Sequence, residues 1–279
     1  MFAVLQPIER PSGGPLARIR AWRKPRVQIE ERRTGDIGYC ILWARCKNGA
    51  PNWNKVYRAA GREAGRLLLP EGFWPPPGCG IGAFDGSAYR RKLLCNAFFR
   101  CLASGDARRL TVTFIDWDAR YCETALRILE RASAVHVVTD RPERYEYYAE
   151  RAQQELGAYL MLTGDTACME SATAVLAPEG LTGVRPRTAS HGIRPINPIY
   201  FSGEKDCPYG MTVDGRCIRL PEPYESLLPR GIDRLDFAAA LYDSGRPASL
   251  GRLLPGYIRK GGNPIPLRTA AALLAAAVR

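Results

Sequence analysis

Two carboxylates stand two residues apart in "TFIDWDARYCETAL", Thr113 to Leu126, where an apolar, β-branched run gives way to a helical pattern. A strand-to-helix junction offers free backbone N–H groups and the positive end of a helix dipole. An acid there either satisfies those groups from within the protein or joins its neighbour in holding a cation. Asp118 stands at the N-cap of a helix beginning near Ala119, with its carboxylate in reach of the free N–H groups. A phosphate arriving at the same amides meets repulsion of about 4 kcal/mol per unit-charge pair at 4 Å and an effective dielectric of 20. The dipole returns only about 0.3–1 kcal/mol. The sequence therefore predicts that a carboxylate of the protein fills this anion position, and that a phosphate lies beside it only by way of a magnesium ion.

Further acids fall where other apolar runs end. Asp140 closes "AVHVVTD", Asp165 follows "YLMLTG" and Glu179 follows "AVLAP". Asp116, Asp118, Asp140, Asp165 and Glu179 are thus candidate ligand-binding residues on one rim, with magnesium as the cation that Asp116 and Asp118 could hold. Structural roles compete for the same residues. Asp140 and Glu143, with Pro142 in the first turn, make a capping-box pattern. His136 lies inside an apolar run and reads as a core residue, and His191 as part of a loop. The series Gly78, Gly80, Gly82 has prolines before it instead of a strand and lacks the G-x-G-x-x-G spacing, so it reads as a flexible connector.

The elements that must position these acids are regular from Leu110 onward. "LTVTFID", "AVHVVTD", "YLMLTGD" and "AVLAPEG" are apolar throughout and alternate with amphipathic segments, the pattern of a parallel sheet covered on both faces. The first helix offers Tyr121, Ala125, Ile128, Leu129 and Ala132 to a core; the second offers Tyr145, Tyr148, Ala149, Ala152 and Leu156. Right-handed crossovers place the strand ends, and hence the acids, on one rim.

This series resembles the first half of a Rossmann-type domain over residues 110 to 180, with Asp140 at the end of the second strand where that superfamily's ribose-binding acid sits. The glycine fingerprint is replaced by Asp116, Asp118 and Tyr121. The resemblance implies a Rossmann-like, mostly parallel α/β sheet whose dinucleotide site is degenerate. "TFIDWD", "VVT" at Val137 to Thr139 and "GDTACME" at Gly164 to Glu170 also resemble motifs of haloacid-dehalogenase-type phosphotransferases. That resemblance implies Asp116 as the catalytic nucleophile, Asp118 as acid/base, Thr139 as a phosphate contact, and Asp165 and Glu170 as ligands of magnesium. The chain departs from the pattern in having no lysine between Thr139 and Gly164.

Outside the core, Val27 to Ala44 reads as a hairpin turning at Thr34–Asp36, Asn52 to Leu69 as a helix, and "SAYRRKLLCNAFFRCLASG" as a second helix capped by Asp85 or Ser87. "PINPIYFSG" adds a strand, "MTVDGRCIRL" a hairpin at Asp214–Gly215, and Ile232–Tyr242 and Pro266–Val278 two helices. The expected organisation is an N-terminal basic α+β region over 1–105, the Rossmann-like core over 106–185, and an irregular C-terminal extension with a β-hairpin over 186–279.

A formal charge of +12 favours anionic partners, yet only six of the 40 basic residues are lysine, an arginine bias that a GC-rich coding sequence produces by itself. The densest basic cluster, Arg18, Arg20, Arg23, Lys24 and Arg26 around Trp22, is the candidate nucleic-acid contact. Nine cysteines without a CxxC pair argue against a disulfide framework and a structural zinc site. No run of about 18 apolar residues occurs, and Pro7 and Glu9 break the opening segment, so the sequence predicts a cytosolic protein without a membrane partner. The function expected is small-ligand binding, or a scaffold or regulatory role, without NAD(P) chemistry.

Overall fold

The computed structural model describes residues 1–8, 27–34, 37–104, 107–181, 198–204, 207, 208, 210–222, 224–245 and 253–277. In chain order its first elements are strands β1 (Phe2–Ile8), β2 (Val27–Thr34), β3 (Ile37–Lys47) and β4 (Ala50–Pro51), helix α1 (Trp53–Ala60), strand β5 (Leu67–Leu68) and helix α2 (Ser87–Leu102). Then come β6 (Thr111–Ile115), α3 (Cys122–Leu129), β7 (Ala134–Val138), α4 (Glu146–Arg151), β8 (Leu160–Thr163), β9 (Ala174–Ala177), β10 (Ile199–Ser202) and β11 (Met211–Thr212). The last are α5 (Tyr224–Leu227), α6 (Arg234–Asp243), β12 (Tyr257–Lys260), β13 (Asn263–Pro266) and α7 (Leu267–Ala276). They fall into two compact units, one built from 1–89 and 219–252, the other from 90–218 and 253–279.

In the first unit the predicted hairpin is present: β2 and β3 pair antiparallel from Val27↔Ala44 to Thr34↔Ile37. β3 also pairs parallel with β1, which pairs parallel with β5. Because strand side chains alternate faces, Ala3, Leu5, Cys40, Leu42 and Ala44 share one face and bury against Val56, Ala60 and Ala64. On the other face Phe2 stacks on Tyr39 at 5.2 Å, and Phe237 of α6 sets its edge on both rings. α6 is capped by Asp233, whose side chain accepts from the N–H groups of Leu235 and Asp236.

The helix expected over 52–69 is shorter than its apolar pattern. α1 starts at the Asn52 cap and ends at Gly61, a 3-10 segment Gly61–Arg66 follows, and Leu67–Leu68 turns into a strand. The glycine connector is a packed part of this unit. Gly82 donates to Ala64 O at 2.8 Å and accepts from Leu67 N at 2.9 Å, and a Cβ there would lie 2.3 Å from Gly65 O. Glycine at 82 is therefore required by backbone approach, not by a phosphate.

The second unit holds an eight-stranded sheet in the order β13-β12-β11-β10-β9-β6-β7-β8. From β6 to β11 every pairing is parallel. Numbering β6 to β11 as one to six gives 3-2-1-4-5-6, the order of doubly wound nucleotide-binding sheets. Val112, Phe114, Val135, Val137, Val175 and Leu176 are fully buried, which explains why these strands read as continuous apolar runs. α2 buries Leu93, Leu94, Ala97, Phe98 and Cys101, with Phe98 edge-on to Phe201 of β10 at 4.9 Å.

α3 buries Ala125, Ile128 and Leu129 as its periodicity predicts. The second amphipathic segment is irregular, running from 3-10 (Pro142–Tyr145) through α4 to a π turn (Ala152–Leu156). Tyr145 and Ala152 are buried as expected, while Leu156 is exposed. The C-terminal hairpin exists at a different place. Gly261 and Gly262, with φ of 54° and 86°, join β12 to β13, whereas Asp214 caps a 3-10 turn over Gly215–Cys217. A two-residue turn with positive φ at both positions matches strand twist, and Gly-Gly meets it without strain.

Candidate functional site

The first turn after β6 is built around Asp116. Its N–H donates to Val138 O at 2.9 Å, extending the β6–β7 ladder to the last residue, and its carbonyl accepts from Ala119 N at 3.0 Å to close the turn. Ala119 takes the left-handed region at φ 51°, which returns the chain toward the strand end. The N–H groups of Arg120 and Tyr121 then point back at the Asp116 carboxylate, at 2.9 Å on Oδ1 and 2.8 Å on Oδ2. The Tyr145 hydroxyl donates to Oδ2 at 2.7 Å. Asp116 is 2% exposed and Tyr145 fully buried. Burial, and then the Asp116 charge, push the Tyr145 phenol far above its ordinary value, so its O–H is held as a permanent donor.

This corrects the capping expectation in one respect. A carboxylate of the protein does occupy the amides of the first turn, but it belongs to Asp116 and not to Asp118. α3 begins at Cys122 with Tyr121 as a cap residue that makes no side-chain cap bond. The left-handed residue at 119 carries Asp118 outward, where it pairs with Arg120 at 2.9 Å and is half exposed.

The other rim residues divide by role. Thr139 is buried, donates to Trp117 O at 3.2 Å and accepts from Arg141 N at 3.1 Å, so it ties the loops after β6 and β7 together. Asp140 donates its N–H to Trp117 O, and its side chain is exposed with no hydrogen bond or ion pair among the described residues. The capping box expected of Asp140 and Glu143 is not formed: the 3-10 turn starts from Arg141 without a side-chain cap, and the Thr139 hydroxyl takes the Arg141 N–H instead.

Glu179, at the end of β9, accepts on Oε1 from Arg120 at 3.1 Å and from Arg91 of α2 at 3.4 Å. Asp165 caps the 3-10 turn Thr166–Ser171 after β8 by accepting from Ala167 N, and Glu170 lies exposed on that same turn. The structure thus gathers Asp116, Asp118 and Glu179 around Arg120, ties Thr139 and Asp140 to them through Trp117, and leaves Asp165 two strands away after β8, with Glu170 further along the crossover turn to β9, near Tyr200 of β10. Among the described residues no three His, Cys, Asp or Glu side chains group so as to hold a metal ion. His136 is half-buried in β7. Arg18, Arg20, Arg23, Lys24, Arg26 and His191 lie outside the described residues.

Arginines are what the sequence reading missed. Arg91 and Arg120 pair with the acids, and Arg144 donates to the backbone carbonyl of Asp118 at 3.2 Å. An open depression of ≈ 400 Å³ beside the start of α3 is lined by Arg120, Tyr121, Glu123, Thr124, Arg144 and Tyr148. Their spacing carries no motif, and Arg91 and Arg120 meet Glu179 from 88 and 59 residues away, so only Arg120 beside Asp118 was legible as a local pair.

Asp214, read from the sequence as a hairpin turn, instead follows β11 on the same rim. It accepts from Arg216 N at 2.9 Å and pairs with Arg259 at 2.6 Å. Burial works to raise its carboxyl, but the Arg216 N–H, the Arg259 guanidinium and the Cys217 thiol together outweigh it and hold the group below the usual aspartate range.

These elements define an α/β protein with a mostly parallel sheet and a polar rim at the strand ends. No family model, curated protein or solved structure matches the chain. No helix among the described residues is long and apolar enough to cross a membrane.

Proposed function

We propose that the second unit is a Rossmann-like module whose first turn does not receive a dinucleotide, and that the protein binds another small ligand or serves as a scaffold or regulator. The observation that carries this reading is the Asp116 carboxylate on the amides of Arg120 and Tyr121. In the dinucleotide-binding arrangement those amides face a pyrophosphate, with glycines keeping the approach clear. Here they are spent internally. Arg120 and Tyr121 also put side chains where that arrangement needs none.

A role for Asp116 as phosphoryl acceptor requires an oxygen free to attack. Oδ1 and Oδ2 both accept protein donors, so that role draws no support from the geometry.

The test is calorimetric titration of the full chain with NAD⁺ and NADP⁺ in metal-free buffer. No heat of binding at micromolar cofactor is the expected result. Micromolar affinity would contradict the reading.

A further inference from the structure

In a doubly wound sheet the ligand crevice lies outside the carboxyl ends of the two strands where the order reverses, here β6 and β9. The residues leaving those two strands meet across that point through side chains. Arg120, from the loop after β6, and Arg91, from α2, both donate to one oxygen of Glu179, from the loop after β9. Each guanidinium carries five N–H donors yet gives Glu179 only one, both on the same oxygen, so the bidentate fork that arginine favours on a carboxylate is left unmade. Arg91 Nε is buried without an acceptor among the described residues. The Arg91 and Glu179 side chains are 23% and 27% exposed and Arg120 54%, so the group is open to a small molecule from the Arg120 side.

We propose that Arg91 and Arg120 form a binding site for a carboxylate-bearing small molecule, with Glu179 as the internal carboxylate that such a ligand displaces. The ligand carboxylate takes the position of the Glu179 head group, with its second oxygen available to the unused Arg91 donor. Glu179 moves out toward solvent. Asp118, on the far side of Arg120 at 2.9 Å, keeps that guanidinium oriented during the exchange. This inference rests on the proposed function, because it names the ligand class of the same rim. It uses side-chain arginines and leaves the Asp116 amides as they are.

The test is calorimetric titration of the full chain with sodium succinate at low ionic strength, with inorganic phosphate as the comparison. Glu179→Gln removes the competing charge and is expected to tighten succinate binding about tenfold, the equivalent of roughly one charge-assisted hydrogen bond. Adding Arg91→Gln to that variant is expected to abolish the gain. If Glu179→Gln fails to fold, Glu179→Asp, which keeps the charge but withdraws it from the arginines, is expected to change affinity in the same direction. Unchanged or weaker succinate binding in a folded Glu179 variant would overturn the proposal, as would tighter binding of phosphate than of succinate. Dinucleotide binding on the Asp116 amides would overturn the proposed function without producing either outcome, so the two failures are distinguishable.

Discussion

Asp116 is the residue on which the site turns, because one buried carboxylate satisfies two backbone N–H groups and a phenol at once. Asp116→Ala leaves all three donors without their acceptor, and each buried unsatisfied donor costs about 1–3 kcal/mol. A loss of about 3 kcal/mol or more in urea unfolding is expected, with Tyr145→Phe losing about 1.5 kcal/mol. Equal stability of wild type and Asp116→Ala would remove the carboxylate from its structural role. Asp214 makes a separate prediction about acid. Its folded-state carboxyl lies below the ordinary 3.8, so its contribution is fully present above that value and is lost as pH falls through the folded value. The melting-temperature advantage of wild type over Asp214→Asn is therefore expected at neutral pH and should shrink below about pH 4. A gap that stays constant into strong acid would contradict the pairing with Arg259.

At the scale of elements, what the sequence makes legible is what repeats. The strands of this sheet are mostly apolar, the edge strand β8 with its exposed Met161 included, so β6, β7, β8 and β9 can be read directly, as can the β2–β3 hairpin and the helices α6 and α7. The acid at the first turn was legible as a self-capping group, but which acid was not, because the answer depends on Ala119, a residue without glycine's freedom, entering the left-handed region. Gly261–Gly262 carries as strong a hairpin signal as Asp214–Gly215, and only the pairing of β11 with β10 and β12 decides between them. Three substitutions test these assignments. Gly262→Ala, at φ 86°, is expected to cost about 1 kcal/mol by chemical denaturation, whereas Asp214→Asn should leave the β12–β13 pairing intact by amide exchange. Phe237→Ala, which removes the ring edge-on to Phe2 and Tyr39, is expected to cost about 3–5 kcal/mol in the first unit. A loss under about 1 kcal/mol would mean that α6 does not carry that face of the sheet.

At the scale of the molecule, strand order is where local pattern stops informing. Nothing in the apolar runs states that β9 pairs with β6 and so creates a reversal point beside it, nor that 219–252 packs with 1–89 in one unit. Both depend on contacts far apart in sequence. Yet the reversal point decides which acids matter, since it brings Glu179 to Arg120 and leaves Asp165 beyond β7 at β8. The amides of the first turn already have their acceptor in Asp116. Amide proton and nitrogen shifts of Arg120 and Tyr121, followed while NAD⁺ is added to the labelled full chain in metal-free buffer, test this most directly. Both resonances are expected to stay in place up to millimolar cofactor. A saturable shift of both at micromolar cofactor would show that a pyrophosphate displaces Asp116 from these amides.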